Sequence, residues 1–280
     1  MKPGGRVLQW PAEAIWEAVV PLLPGFTVEV LPSIDSTNTE LMRRARTGQC
    51  EPVLLVAESQ TAGRGRLGRS WHGASPAQAG ATLTFSLGLP LQMVDWSGLS
   101  LAVGLSVVQS LHPALQLKWP NDVWWRDRKL AGILIETANN IPMLPSEAAH
   151  LAGPSRGDAA VPRRYAVIGI GINITPREAA GLSTPAAWLQ ELDASLDAPM
   201  ALQRVAPALV QTVLRFEQVG FAPFRPAFAE RDTLGGRQVT LSDGLQGLAQ
   251  GVDEAGALLV HTSTGLARVN SAEVSVRPST

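Results

Sequence analysis

With 280 residues, of which 45% are hydrophobic and 17% charged, the chain can form one large domain or a large and a small one, and its composition excludes a disordered protein. The formal net charge of −1 gives no electrostatic reason to expect nucleic acid as the main partner. A single cysteine, Cys50, excludes an internal disulfide framework, and no membrane span or secretory signal pattern is visible. We therefore expect a soluble, cytoplasmic protein.

The first half of the chain predicts helices and strands in alternation. Residues 11–20 predict a short amphipathic helix and residues 28–31 a strand. Thr37 and Glu40 have the spacing of a capping box, so we expect a helix that Thr37 caps and that stops at Gly48. Further elements follow in chain order: strands at 53–57 and 82–87, a buried apolar helix at 97–111, and strand segments at 115–119, 123–125 and 129–137.

The second half of the chain changes character twice. Residues 138–164 are rich in Ala, Pro, Gly and Ser, and we interpret them as a mobile loop insertion before a buried strand at 165–174. A helical stretch at 201–232 is followed by short β runs at 238–241, 248–252, 257–261 and 267–269. This order predicts an α+β fold with two domains, residues 1–232 and a small β-barrel at 233–280.

The stretch from Gly63 to Arg69 follows a predicted strand and places three arginines among three glycines. It matches the G-x-G-x-x-G fingerprint of dinucleotide-binding folds, but no helix can open at Gly68 and no acidic residue follows about 20 residues later. The motifs that accompany a kinase glycine loop are missing as well. The alternative without a function is an exposed polar turn whose arginines are simply solvated. We favour a mobile anion-binding loop, in which the arginines donate bidentate hydrogen bonds to phosphate or carboxylate.

Two lysines and a glycine-containing strand are further candidates for a site. Lys118 precedes a Trp-Pro-Asn-Asp turn, in which an exposed lysine is an equally good explanation. Strand alternation places Lys129 on the same face as Ala131 and Ile133, so it either reaches out to solvent or holds an anion in an apolar pocket. The strand Gly169-Ile-Gly-Ile-Asn173 carries two glycines on one face, which indicates that a ligand, backbone or helix packs closely there.

Taken together, five ordered segments resemble biotin protein ligases, the biotin–[acetyl-CoA-carboxylase] ligases. The segments are Asp35-Ser-Thr-Asn38, Gly63-Arg-Gly-Arg-Leu-Gly-Arg69, Lys118-Trp-Pro-Asn-Asp122, Arg128-Lys-Leu-Ala-Gly-Ile133 and Gly169-Ile-Gly-Ile-Asn173. The resemblance implies a mixed-sheet catalytic domain like that of class II aminoacyl-tRNA synthetases, and an SH3-like C-terminal barrel. It also implies the reaction. The biotin carboxylate attacks the α-phosphate of Mg²⁺-ATP, and a lysine of the biotin carboxyl carrier protein of acetyl-CoA carboxylase then attacks the resulting biotinyl-5′-AMP.

The resemblance implies roles for individual residues as well. Lys129 and Arg64 would be catalytic, while Arg66 and Arg69 would order the loop. The residues implied to bind biotin are Ser36, Thr37, Asn38, Gln60, Gly63, Arg64, Gly65, Arg66, Lys129 and Gly132. Those implied to bind the nucleotide are Arg64, Arg66, Arg69, Trp71, Lys118, Asn121, Asp122, Asn173 and Trp188, with Asp122 as a possible protein ligand for Mg²⁺.

Three alternatives accompany this resemblance. Family members that repress transcription carry an N-terminal DNA-binding domain, but only some 30 residues precede the Ser-Thr-Asn segment, so we expect no DNA binding. Lipoate–protein ligases and octanoyltransferases share the fold, although an octanoyltransferase needs a cysteine nucleophile and none lies near Lys129 in the sequence. A non-catalytic biotin-binding protein would have no need of both Arg64 and Lys129. Monomer and homodimer are both compatible with the sequence.

Overall fold

A computed structural model of the chain describes residues 8–75, 78–139, 162–176, 184–270 and 276–278. The α-helices in this part of the chain are α1 (Ala12–Val19), α2 (Thr37–Arg46), α3 (Leu99–Leu111), α4 (Ala198–Val219) and α5 (Arg225–Ala229). The first sheet contains β1 (Thr27–Leu31), β2 (Val53–Ala57), β3 (Thr82–Leu91), β4 (Gln116–Lys118), β5 (Asp122–Trp125), β6 (Arg128–Ala138) and β7 (Arg164–Asn173). The second contains β8 (Gln238–Leu241), β9 (Gln246–Val252), β10 (Leu258–Thr262), β11 (Gly265–Val269) and β12 (Val276–Pro278).

The first sheet is mixed and has the strand order β1-β2-β3-β7-β6-β5-β4. β1 and β2 are parallel, and the neighbours from β2 onward are antiparallel. Its two faces differ because successive side chains of a strand point to opposite sides. One face of β3 carries Leu83, Phe85 and Leu87 into a large core with α3 and α4. The other face lies under α2 and has a smaller apolar cluster, so it leaves room for polar side chains.

The second sheet is antiparallel with the order β11-β10-β9-β8-β12, and it packs against the first part of the molecule. The indole Nε1 of Trp119 donates to the carbonyl of Gly256 at 3.0 Å. The guanidinium of Arg237 pairs with the carboxylate of Asp127 at 2.5 Å. Among the described residues, no helix has the length and apolar character that crossing a membrane requires.

Most of the predicted elements are present, and three details differ. The cap of α2 is Ser36, whose hydroxyl accepts from the backbone N–H of Thr39, so the prediction that Thr37 caps this helix is wrong. The long helix begins at Ala198 rather than 201, because the side chain of Asp197 caps it. β12 was not predicted. Residues 140–161, most of the predicted loop insertion, lie outside the described residues.

Candidate functional site

A pocket opens on the face of the first sheet that α2 covers. The predicted site residues that line it are Ser36, Thr37, Asn38, Gln60, Arg64, Gly65, Arg66, Arg69, Trp71, Lys118, Asn121, Asp122, Lys129, Gly132 and Asn173. Gly63 and Trp188 are not among the described lining residues, so their roles stay predictions. The fold therefore brings all five sequence segments together around one cavity.

Both glycines of the β7 strand are explained by side chains packed against them. A Cβ atom at Gly169 would overlap the amide oxygen of Asn38, and one at Gly171 would overlap the indole ring of Trp71. Asn38 comes from α2 and Trp71 from the segment after the Arg/Gly loop. The glycines thus let two pocket side chains lie directly on the sheet.

At the α2 end of the pocket, the side chains are neutral and hydrogen-bonded to one another. The carboxamide oxygen of Gln60 accepts from the backbone N–H of Thr37 at 2.8 Å and from its hydroxyl at 3.1 Å. Ser86 Oγ, on β3, lies 2.7 Å from both Thr37 Oγ1 and Asn38 Oδ1 and can donate its single proton to one of them. Ser36, Thr37, Asn38 and Ser86 are all buried, so this network is held in place before any ligand arrives.

The carboxylate of Glu136 connects this network to the Arg/Gly loop. It accepts from Asn38 Nδ2 at 3.0 Å and forms an ion pair with Arg64 at 3.1 Å. The Arg64 side chain is still 48% exposed, while that of Glu136 is 21% exposed. Arg64 is therefore already paired with an acid of the protein, at the α2 side of the pocket.

The other end of the pocket is charged. Lys129 Nζ lies 2.7 Å from the carboxylate of Asp122 and 6.0 Å from the centre of the Trp71 ring. Arg66 donates to the amide oxygen of Asn121 at 3.2 Å, beside the same acid. Burial lowers the pKa of the Arg66 guanidinium, against the opposing influence of Asp122. Two cations thus flank one carboxylate, with Arg66 more enclosed than Arg64.

Lys129 reaches this position because of a bulge in β6. The pairing of β5 with β6 shifts register between Val123 and Trp124, so the alternation of side chains is interrupted next to Lys129. Ala131 and Ile133 belong to the main core, whereas Lys129 lies against Gly132 and Trp71 in the pocket. The prediction that Lys129 shares a face with Ala131 is therefore wrong, since simple alternation does not hold across a bulge.

The Arg/Gly loop folds back on itself. Arg64 and Ser70 form an isolated antiparallel bridge, and the N–H of Gly65 donates to the carbonyl of Arg69 at 2.7 Å. At the tip, Leu67 has a φ of 57° and is exposed. A Cβ at Gly63 would lie 2.6 Å from the Trp71 carbonyl oxygen, so the glycine permits the two arms of the loop to approach. Gly63 thus supports the loop from outside the lining of the pocket.

Several contributors to the site were missed by sequence reasoning. Ser86 takes part in the α2-end network, Glu136 connects that network to the Arg/Gly loop, and Val276, from the second sheet, lines the pocket. Two signals were available: Ser86 is a polar residue within the predicted strand 82–87, and Glu136 is an acid near the end of the predicted strand 129–137. Nothing local to Val276 could indicate its position, because it depends on how the two sheets pack.

Within the described residues, no group of three His, Cys, Asp or Glu side chains could hold a metal ion. Asp122 is the one acidic residue among the described residues that line the pocket, and it is paired with Lys129. Asp122 stays a predicted ligand for Mg²⁺, because an ion bound by few protein groups takes further ligands from substrate phosphates.

Comparisons with known proteins agree with this arrangement. Residues 30–144 match the model of the Biotin/lipoate A/B protein ligase family, and residues 234–277 match that of the Biotin protein ligase C terminal domain. The chain is 34% identical over 267 residues to the bifunctional ligase/repressor BirA of Escherichia coli, covering 91% of this chain and 75% of the relative. It is 29% identical over 264 residues to the biotin–[acetyl-CoA-carboxylase] ligase of Paracoccus denitrificans, covering 88% and 98%.

Among solved structures, the biotin protein ligase from Aquifex aeolicus in complex with biotin and ATP matches with a TM-score of 0.69 at 28% identity, over 90% of this chain and 99% of that one. The mixed sheet and its pocket of lysine and arginine side chains define a protein of the biotin and lipoate ligase class. The C-terminal match and the level of identity are more specific. The chain belongs to the biotin protein ligase family.

Proposed function

We propose that this protein activates biotin with ATP to biotinyl-5′-AMP and transfers the biotinyl group to a lysine of the biotin carboxyl carrier protein of acetyl-CoA carboxylase. The observation that carries the proposal is the polarity of the pocket, which joins a neutral hydrogen-bonding end to a cationic end. Biotin has the matching polarity, with an uncharged ureido ring at one end and a carboxylate at the other. Relatives and structures named as biotin ligases support the same reaction. The ATP requirement and the free thiol of Cys50 favour a cytoplasmic setting.

The neutral end binds the ureido ring. Ser36 accepts a backbone hydrogen bond as the cap of α2, which leaves its hydroxyl proton for the ureido oxygen. Gln60 uses its carboxamide oxygen on Thr37, which leaves its amide N–H groups for a ligand. Since these groups are fixed by other hydrogen bonds, biotin binds without a large loss of side-chain freedom.

The charged end performs the first chemical step. A carboxylate oxygen of biotin attacks the α-phosphorus of ATP, an O–P bond forms, and pyrophosphate leaves. Two anions must approach each other, so cations at the meeting point lower the barrier. Lys129 is the candidate for this position because its ammonium group lies inside the pocket, 30% exposed, between Trp71 and Asp122.

Arg66 is the better candidate for the second cation at the reacting atoms. It lies beside Asn121 and Asp122 near Lys129, whereas Arg64 pairs with Glu136 at the α2 side. We therefore assign Arg66 to the carboxylate and phosphate, and Arg64 to holding the loop against β6. This reverses the division of roles that the resemblance implies, and it follows from the difference in burial and partners.

In the second step, the amine of the carrier lysine attacks the carbonyl carbon of biotinyl-5′-AMP. A C–N bond forms, the C–O bond to the phosphate breaks, AMP leaves, and the amine loses a proton to solvent. The loop from Gly63 to Trp71 covers the adenylate in the meantime, because a mixed anhydride hydrolyses in water. Mg²⁺ would enter with the phosphates of ATP, and Asp122, the acidic side chain among the described lining residues, would contact it and supply negative charge there.

The proposal is tested by exchange of labelled pyrophosphate into ATP, with biotin, lipoate or octanoate offered separately. We expect exchange with biotin alone, followed by biotin transfer when the apo-carrier is added. Exchange with lipoate and none with biotin would show that the site belongs to a lipoate ligase. No exchange with any acid, together with measurable biotin binding, would indicate a binding protein without catalysis.

A further inference from the structure

Lys129 lies at the irregular beginning of β6. The ladder between β6 and β7 begins at Ala131, which pairs with Ile172. On the other side, β5 shifts register next to Lys129. Lys129 pairs with Trp124 of β5, but among the described residues the ladder with β7 does not reach it, so its backbone N–H and C=O on that side need partners from elsewhere. A lysine that must stabilise a reacting phosphate needs to be held more firmly than this.

The missing backbone partners come from the segment 185–187. The N–H of Lys129 donates to the carbonyl of Pro185 at 2.8 Å, and the carbonyl of Lys129 accepts from the N–H of Ala187 at 2.9 Å. The same carbonyl accepts from Asn173 Nδ2 at 3.3 Å. Ala186 forms a parallel bridge with Lys129. The segment therefore extends the sheet by one short strand at the position of the lysine.

An ion pair fastens this segment to β6. The guanidinium of Arg128 donates to both oxygens of the Glu191 carboxylate, at 3.0 and 2.7 Å, and to the carbonyl of Ala186 at 3.3 Å. The Glu191 carboxylate also accepts from the backbone N–H of Trp188 at 3.0 Å. The two side chains are 30% and 26% exposed, which makes the pair less screened than a fully solvated one.

We propose that Arg128 and Glu191 are positioning residues that act through the backbone of Lys129. Their ion pair holds residues 185–191 against the first residues of β6, and this strand-like contact fixes the lysine toward the reacting atoms. Neither residue is among the described side chains that line the pocket, so the proposed role is indirect. The inference rests on the proposed function, since it concerns the lysine assigned to adenylate formation.

The test compares Glu191→Gln with Asp127→Asn. Both variants neutralise the acid of an ion pair close to the start of β6, but Asp127 pairs with Arg237, and no described hydrogen bond joins it to residues 185–191. Asparagine also tolerates the positive φ of 57° at position 127. We expect Glu191→Gln to lower kcat of biotin-dependent pyrophosphate exchange fivefold or more, with KM for biotin changed less than twofold. Asp127→Asn should change both constants less than twofold.

Two further measurements separate positioning from general stability. Arg128→Lys keeps the charge but loses the two-pronged geometry, so it should lower kcat nearly as much as Glu191→Gln. Melting temperatures of the variants should not follow their kcat values. If Glu191→Gln behaves like Asp127→Asn while the wild type exchanges normally, the positioning role is overturned and the proposed function stands. If the wild type shows no biotin-dependent exchange, the proposed function fails first. If Glu191→Gln does not fold, Arg128→Lys takes its place in the comparison. A kcat for Arg128→Lys close to that of Asp127→Asn would then overturn the positioning role.

Discussion

At the α2 end of the pocket, the polar side chains are neutral, buried and bonded to one another, whereas at the Lys129 end they are charged and partly exposed. Ser86 and Asn38 exemplify the first group, with relative exposures of 0% and 3%. Lys129 and Asp122 exemplify the second, with side-chain exposures of 30% and 16%. Both ends use residues from several elements of the same sheet face.

The difference follows from what each end has to do. A neutral network can be completed in advance, because satisfied hydrogen bonds cost little in a buried site. A cation without a partner is costly in a partly buried site, so Lys129 at the charged end is paired with Asp122, and Arg64 on the α2 side is paired with Glu136. Ligand binding therefore adds contacts at the neutral end but exchanges partners at the charged end. The following substitutions test that contrast.

Lys129→Ala should have the largest effect. Removing a group that stabilises charge in a transition state lowers rates on the order of 10²–10³-fold, and we expect that loss in pyrophosphate exchange with little change in biotin affinity. Asp122→Asn is the control, since it frees the lysine without removing it. Near-normal exchange by the Lys129→Ala protein would show that this residue takes no part in adenylate formation. The proposed difference in function between the two ends of the pocket would then fail.

Gly169→Ala and Gly171→Ala form a matched pair, two residues apart on one strand. The new methyl group displaces Asn38 in the first and Trp71 in the second. Overpacking costs about 1–3 kcal/mol, and a loss of that size in binding corresponds to roughly 5- to 150-fold. We expect Gly169→Ala to raise KM for biotin and Gly171→Ala to lower kcat. Equal effects on both constants in steady-state kinetics would mean that the two ends do not act separately.

Arg66→Gly and Arg64→Gly compare the two loop arginines. We expect Arg66→Gly to increase the rate of biotinyl-5′-AMP loss about tenfold, on the grounds that a charged hydrogen bond contributes ~1.5–3 kcal/mol. Arg64→Gly should have a smaller effect, similar to that of Glu136→Gln, because each removes one half of the same ion pair. Dissociation of labelled adenylate measures both, and a larger effect for Arg64 would restore the roles that the sequence implies.

Ser86→Ala should have the smallest effect. It removes one hydroxyl between Thr37 and Asn38, and a single neutral hydrogen bond contributes about 0.5–1.5 kcal/mol. We expect KM for biotin to rise severalfold with kcat unchanged. Calorimetric titration of biotin without ATP should show a matching rise in the dissociation constant for biotin. An effect on kcat instead would show that the neutral network also positions the charged end.

Much of the fold could be predicted from the sequence because it depends on local patterns. The apolar runs of β2 and α3 and the short β runs of the second sheet each predict an element at nearly its observed bounds. The capping of α2 shows the limit, since both Ser36 and Thr37 are good caps by residue type. The choice between them depends on Gln60, 23 residues away, which takes the hydrogen bonds of Thr37.

The sequence by itself determined the residue types of the site and the family, since ordered short motifs need no knowledge of contacts. Only the tertiary structure decided which way those residues face. The bulge next to Trp124 turns Lys129 into the pocket, against simple strand alternation. The Glu191 ion pair that fastens residues 185–187 beside Lys129 joins positions 63 residues apart. Register and long-range pairing set these features, because they depend on which strands become neighbours and not on the strands' own composition.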